Sequence, residues 1–149
     1  MAYFVTGATG FIGKRLVKKL LDDKKGTIYV LTRSASKKKM AQQISSWGAE
    51  KRVIPVTGDL GKKNLGLSRK NISELQGKIK HFYHLAAIYD LSASADSQQI
   101  ANIDGTRNAI SLATELSADC FHHTSSIAAA GAYKGVFRED MFEEATGLE

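Results

Sequence analysis

Short apolar runs alternate with amphipathic stretches along the whole chain. Tyr3-Phe4-Val5, Thr27-Ile28-Tyr29-Val30-Leu31, Arg52-Val53-Ile54-Pro55-Val56, His81-Phe82-Tyr83-His84-Leu85 and Cys120-Phe121-His122-His123-Thr124 have the length and composition of strands. Between the first two, Phe11, Ile12, Leu16, Val17, Leu20 and Leu21 recur at helical spacing, and the turn Asp22 to Gly26 follows. Met40, Ala41, Ile44 and Trp47 predict a second helix over 37–47, closed by Gly48. Over 61–80 the pattern is loose, with one short helix expected around Ser68 to Leu75. Ser97 to Leu116 reads as one long helix, with Ile100, Ile103, Ala109, Ile110, Ala113 and Leu116 near one face and Gly105 as its weak point. The small residues Ala128 to Gly131 suggest a close-packed turn, and 133–149 has no clear period.

Five alternations of strand and helix argue for a parallel sheet covered on both faces by right-handed crossovers. The expected fold is α/β, a Rossmann-like doubly wound sheet of order 3-2-1-4-5, in one domain over 1–149. Pro55 lacks an N–H and suggests that its strand is at an edge. In such a sheet a ligand lies across the carboxyl ends of the strands, where the order reverses between strands 1 and 4.

Composition narrows the class without naming it. The 149 residues are 43% apolar and 24% charged, as in an ordinary globular domain. The apolar runs are too short to span a membrane and the first strand begins at once, so a cytoplasmic protein without a signal peptide is expected, with at most peripheral membrane contact. The single cysteine, Cys120, has no internal disulfide partner. A net charge of +6 could draw polyanions. Lys14, Arg15, Lys18 and Lys19 lie opposite the apolar stripe of their helix and read as a solvated face, so no nucleic-acid partner is expected.

The chemistry starts at Thr6 to Gly13, TGATGFIG. Glycines at Gly7, Gly10 and Gly13 between a strand and a helix let backbone approach a pyrophosphate, and the helix N-terminus supplies positive potential. The ~30-residue βαβ context supports a dinucleotide site. Twenty positions past Gly13, where a carboxylate would accept from the ribose of NAD, stands Arg33, with Lys37 to Lys39 close behind. A guanidinium pairs with phosphate, so this position favours NADP(H). Asp59 and Leu60 suit the adenine end, though Gly58-Asp59 is also a common turn pair. His122 and His123 point to opposite faces of a strand and do not share an ion, and no cysteine or acid at ligand spacing is evident, so no metal is expected.

TGATGFIG, GDL at 58–60, HLAA at 84–87, NIDGTRN at 102–108 and HTSSIAAAG at 123–131 resemble the successive motifs of the extended short-chain dehydrogenase/reductase superfamily. AAIYDLSA at 86–93 and KGVFREDMFEE at 134–144 resemble the N-terminal reductase region of alcohol-forming fatty acyl-CoA reductases, with thioester-reductase domains of carboxylic acid reductases as more distant relatives. The resemblance implies that Gly7, Gly10 and Gly13 bind the pyrophosphate, with backbone from Thr9, Phe11 and Ile12. It implies that Ala86 and Ala87 line the nicotinamide-ribose side, that Asn102 stabilises the active-site framework, and that Ser126, or its neighbour Ser125, is the catalytic serine. The implied substrate is a fatty acyl-CoA or fatty aldehyde, reduced to the alcohol.

The superfamily's Tyr-x-x-x-Lys pair does not occur in these residues. Gly7, Arg33, Ala87, Ala93 and Phe137 stand four residues after the five tyrosines. The expectation is therefore an incomplete domain, inactive alone, with an uncovered sheet edge open to self-association. Other extended-family reactions, such as nucleotide-sugar epimerisation or ketone reduction, and a non-catalytic NADP-binding sensor are the alternatives. Retention of Asn102 and Ser126 argues against the sensor.

Overall fold

A computed structural model describes residues 1–88, 92 and 94–141. β1 (Ala2–Thr6) is buried along its whole length and runs through the glycine turn into α1 (Phe11–Asp23). β2 (Thr27–Thr32) leads through a short 3₁₀ turn to α2 (Lys37–Ser46), which buries Met40 and Ile44. Gly48 takes the left-handed φ of +59° that ends a helix cheaply. β3 (Val53–Thr57) is followed by α3 (Arg69–Leu75), whose cap Ser68 accepts from the Asn71 N–H at 3.1 Å. β4 (Ile79–His84), α4 (Ala95–Gln98), α5 (Gly105–Glu115) and β5 (Cys120–His123) complete the order.

The sheet has the order β3-β2-β1-β4-β5, with every pair parallel, as a doubly wound fold requires. Pro55 sits on edge strand β3, opposite Val30 of β2, where its missing N–H leaves no inner ladder bond unmade. Alternation along β1 sends Tyr3 and Val5 into a core with Val17, Leu20, Ile28 and Met40, and Phe4 into a second core with Phe82, Leu112 and Leu116. Phe4 and Phe82 stack with centroids 4.7 Å apart. Each such buried side chain contributes roughly 1.5–3 kcal/mol.

Two expectations are corrected. Residues 97–116 are not one α-helix: α4 widens into a π-type turn over Gln99–Asp104 before α5 resumes. A Cβ on Gly105 would stand 3.2 Å from Leu60 Cβ, and the Asn102 side chain turns away to bond another segment. The turn Ile127–Ala130 is not close-packed, since Ile127 is 94% exposed. Tyr89 to Leu91 and Ala93 of AAIYDLSA, and 142–149 including the end of KGVFREDMFEE, lie outside the described residues.

Candidate functional site

The carboxyl ends of β1, β2, β3 and β4 border one cleft of about 490 Å³. Gly7, Thr9 and Gly10 line one wall, Arg33 and Ser36 the second, and Asp59 and Leu60 the third, with Ala86, Ala87 and Ile88 opposite. This is the crevice where strand order reverses.

The glycines divide the work. Gly7 has φ +73°, and a Cβ there would lie 2.8 Å from the Ala86 backbone nitrogen. Gly13 is buried beneath the turn, and a Cβ on it would fall 2.1 Å from Gly7 O. Gly13 therefore sets the close approach of α1 to the turn and does not line the cleft. Phe11 and Ile12 also lie outside the lining, with exposed side chains, and the Arg15 guanidinium stands 3.7 Å over the Phe11 ring. Gly10 caps α1 without a side-chain hydrogen bond, and no acid occupies the first turn. The helix thus presents amide donors and the positive end of its dipole, so the turn fits an anionic pyrophosphate.

Arg33 follows β2 directly. Its side chain is exposed, lines the cleft and makes no hydrogen bond or ion pair among the described residues. Lys37, Lys38 and Lys39 open α2, which has no acid in its first turn and no side-chain cap. Cations at a helix N-terminus oppose the dipole, a cost that a bound anion would relieve. Asp59 Oδ1 accepts from the Gly61 N–H at 3.0 Å, so the turn role is real, and Asp59 still lines the cleft. The Leu60 carbonyl accepts from Asn108 Nδ2 at 2.8 Å, which fixes that loop against α5.

The wall formed by Leu85 to Ile88 is held by a chain of side chains of which sequence reading singled out only Asn102. Thr6 Oγ1 accepts from the N–H groups of Leu85 and Ala86, both at 3.2 Å, and lies 2.8 Å from His84 Nδ1. His84 Nε2 lies 3.2 Å from Thr106 Oγ1, and that hydroxyl donates to the Asn102 carbonyl at 2.6 Å. Because Thr106 spends its hydrogen on Asn102, it accepts from His84 Nε2–H; Nδ1 is then an acceptor for the Thr6 hydroxyl. Burial, with His123 as a second cause, lowers the His84 pKa from 6.5 to about 4, so the ring is neutral and the chain has one direction. Asn102 closes the arrangement: its Oδ1 accepts from Ile88 N–H at 2.8 Å and its Nδ2 donates to Ile88 O at 2.9 Å. Asn102 is a clamp on the cleft wall. The only sequence signal for Thr6, His84 and Thr106 was their place in quoted motifs, Thr6 in TGATGFIG, His84 in HLAA and Thr106 in NIDGTRN, and none of them was given a role there.

Ser125 and Ser126 follow β5 and are exposed outside the cleft lining. Ser126 Oγ accepts from the Ala128 N–H at 3.2 Å, which is the local role of a turn cap. His122 and His123 do point to opposite faces: His122 stacks on Tyr83 and His123 on His84. Cys120, two residues before His122 on the same strand, shares its face, a pairing that strand alternation already contains and that the expectation of no metal overlooked, and β4 brings His81 beside them.

A parallel sheet of this order, a glycine turn against an uncapped helix and a basic residue after β2 define a dinucleotide-binding domain. Residues 5–147 match the family of the male sterility protein, an NAD-binding family. The chain belongs to that family, within the extended short-chain dehydrogenases/reductases and near the N-terminal region of fatty acyl-CoA reductases. It is 29% identical to a Drosophila melanogaster protein provisionally named a fatty acyl-CoA reductase, over 93% of this chain and 30% of that protein. The crystal structure of the terminal R domain from the myxalamid PKS-NRPS biosynthetic pathway superposes with a TM-score of 0.83 at 29% identity, over 99% of this chain and 41% of that one. Gre2 of Candida albicans in complex with NADPH gives 0.70 at 25% identity, over 87% of this chain and 38% of that one. The chain thus spans about a third of the fly relative's length. Among the described residues no helix is long and apolar enough to cross a membrane.

Proposed function

We propose that this chain is the NADPH-binding part of a cytoplasmic reductase that takes a fatty acyl-CoA, or the derived aldehyde, to a fatty alcohol. The observation that carries the cofactor choice is Arg33, unpaired among the described residues at the end of β2, with Ser36 on the same wall of the cleft. The acyl substrate is supported by the fly relative's name and by the motifs shared with that subfamily.

NADPH, when bound, supplies hydride. The turn from Gly7 to Gly10 and the α1 amides would hold its pyrophosphate, while Arg33 with Lys37 to Lys39 would meet the 2′-phosphate. Asp59 and Leu60 would face the adenine. Ala86 and Ala87, held through Thr6, His84 and Asn102, would form the surface against the nicotinamide ribose. Ser126 would donate to the substrate carbonyl oxygen as negative charge builds there, since among the described residues its Oγ only accepts from its own backbone and its hydrogen is free to be given.

Titration of the chain with NADPH and NADH tests the cofactor assignment. NADPH is expected to bind about 10- to 100-fold more tightly, with the preference removed in Arg33→Ala. Equal affinities in the unaltered chain would refute the role given to Arg33. In a protein of the relatives' full length, acyl-CoA-dependent NADPH oxidation is expected to fall about 100-fold or more in Ser126→Ala.

A further inference from the structure

We infer that the sheet surface shared by β4 and β5 carries a zinc site made by His81, Cys120 and His122. In the parallel register His81 lies opposite Cys120 and Tyr83 opposite His122, so alternation brings the three side chains to one face. Their ligand atoms all lie within 4.8 Å of one another, and His81 Nδ1 is 3.0 Å from His122 Nε2. Zn–N bonds of about 2.0–2.1 Å and Zn–S bonds of about 2.3 Å place tetrahedral ligands roughly 3.3–3.8 Å apart. Side-chain adjustments of about an ångström therefore complete the triangle without moving the strands.

Both imidazole planes are held by stacking, while their facing nitrogens bond each other and must turn from that bond toward an ion. Tyr3 stacks on His81 at 5.9 Å and 12°, and Tyr83 stacks on His122 at 4.4 Å and 11°. Two imidazoles and a thiolate are a donor set for a borderline-soft d¹⁰ ion, and no hard oxygen ligand joins them among the described residues. Three protein ligands leave a fourth position for water. All three side chains are outside the lining of the dinucleotide cleft, and among the described residues β5 pairs with β4 alone. The site is a staple between two strands and has no part in hydride transfer. Its proton balance is fixed: the hydrogen between His81 and His122 moves to the other nitrogen of its own ring, and the Cys120 thiol releases its proton to solvent. Each Zn²⁺ bound displaces about one proton.

The test uses chelator-treated chain under a non-chelating reductant, titrated with Co²⁺ and then Zn²⁺. One Co²⁺ per chain is expected, with a thiolate-to-cobalt charge-transfer band and tetrahedral d–d bands that Zn²⁺ abolishes, and with a raised melting temperature. Cys120→Ser is expected to lose the charge-transfer band, His81→Phe to weaken binding at least tenfold, and His123→Ala to change neither. X-ray absorption on the zinc-loaded unaltered chain counts the ligands without any variant, and one sulfur with nitrogen neighbours is expected. Absence of a band and of any thermal shift up to millimolar Co²⁺, a band that survives in Cys120→Ser, loss of binding in His123→Ala, or a sulfur-free zinc shell would each overturn the site.

Discussion

β1 and β5 are parallel strands that end at the same edge of one sheet, yet their surroundings differ throughout. β1 pairs on both sides and all five of its residues are buried; among the described residues β5 pairs with β4 alone and its residues are half-buried or exposed. β1 opens into a turn whose Gly7 and Gly13 are locked by backbone within 3 Å of where a Cβ would be. β5 opens into an exposed turn carrying Ser126. The phosphate-binding half is therefore held in place by this chain's own described residues. Among the described residues the half with the serine is paired on one side only, with β4.

The sharpest way to break that contrast is to empty the core at matched positions. Phe4→Ala is expected to cost about 3–5 kcal/mol by urea denaturation, and Phe121→Ala, on half-buried β5, about 1–2 kcal/mol. Equal losses would mean that the two strands are equally supported.

His84 gives the next largest effect, because it joins the two regions. Its pKa is held at about 4 in the fold, against 6.5 for a free ring. The unfolded chain takes up a proton near pH 6.5 that the fold refuses until about pH 4, so stability falls as pH drops through that window and the loss levels off below it. The full loss is about 3 kcal/mol. Denaturation midpoints between pH 7 and pH 4 are expected to fall less steeply in His84→Gln; parallel slopes would remove His84 from the network.

Asn102→Ala leaves the N–H and C=O of Ile88 without their partner and is expected to cost about 1–3 kcal/mol. It should also weaken NADPH several-fold while leaving the slope of urea unfolding unchanged. A stability loss with unaltered NADPH affinity would show that the clamp serves the fold alone. The smallest effect is expected from replacing Lys37, Lys38 and Lys39 together by Gln. NADPH affinity should drop a few-fold with a weaker salt dependence, while the melting temperature of the free chain rises by about 2 °C as the clash with the α2 dipole is relieved.

Most of the fold is legible in the sequence because burial writes itself as period. Short apolar runs marked five strands, 3.6-residue spacing marked α1 and α2, and Pro55 marked an edge. Helix 97–116 was misread because the pattern of Ile100, Ile103 and Ala109 continues across the π-type turn. What breaks the helix is Asn102 reaching for Ile88 and Gly105 pressed on Leu60, contacts between distant segments. In the site, Gly7, Thr9, Gly10, Arg33, Asp59, Leu60, Ala86 and Ala87 line the cleft just past strand ends, whereas Ser125 and Ser126, which also follow a strand end, lie outside its lining, so position after a strand narrows the candidates without placing them. Gly13, which the resemblance assigns to the pyrophosphate, is packed beneath the turn, a position that only the approach of α1 to Gly7 shows.

The sequence by itself determined the strand order, the glycine turn and the basic residue after β2, since each follows from local spacing and strand ends. Tertiary structure alone decided the rest. It joined Thr6 to His84 across 78 residues and His84 to Thr106 across 22, and it set His81 against His122 across 41. Those groups meet because parallel strands bring remote segments into register, and a hydrogen bond or ligand sphere depends on that register rather than on distance along the chain.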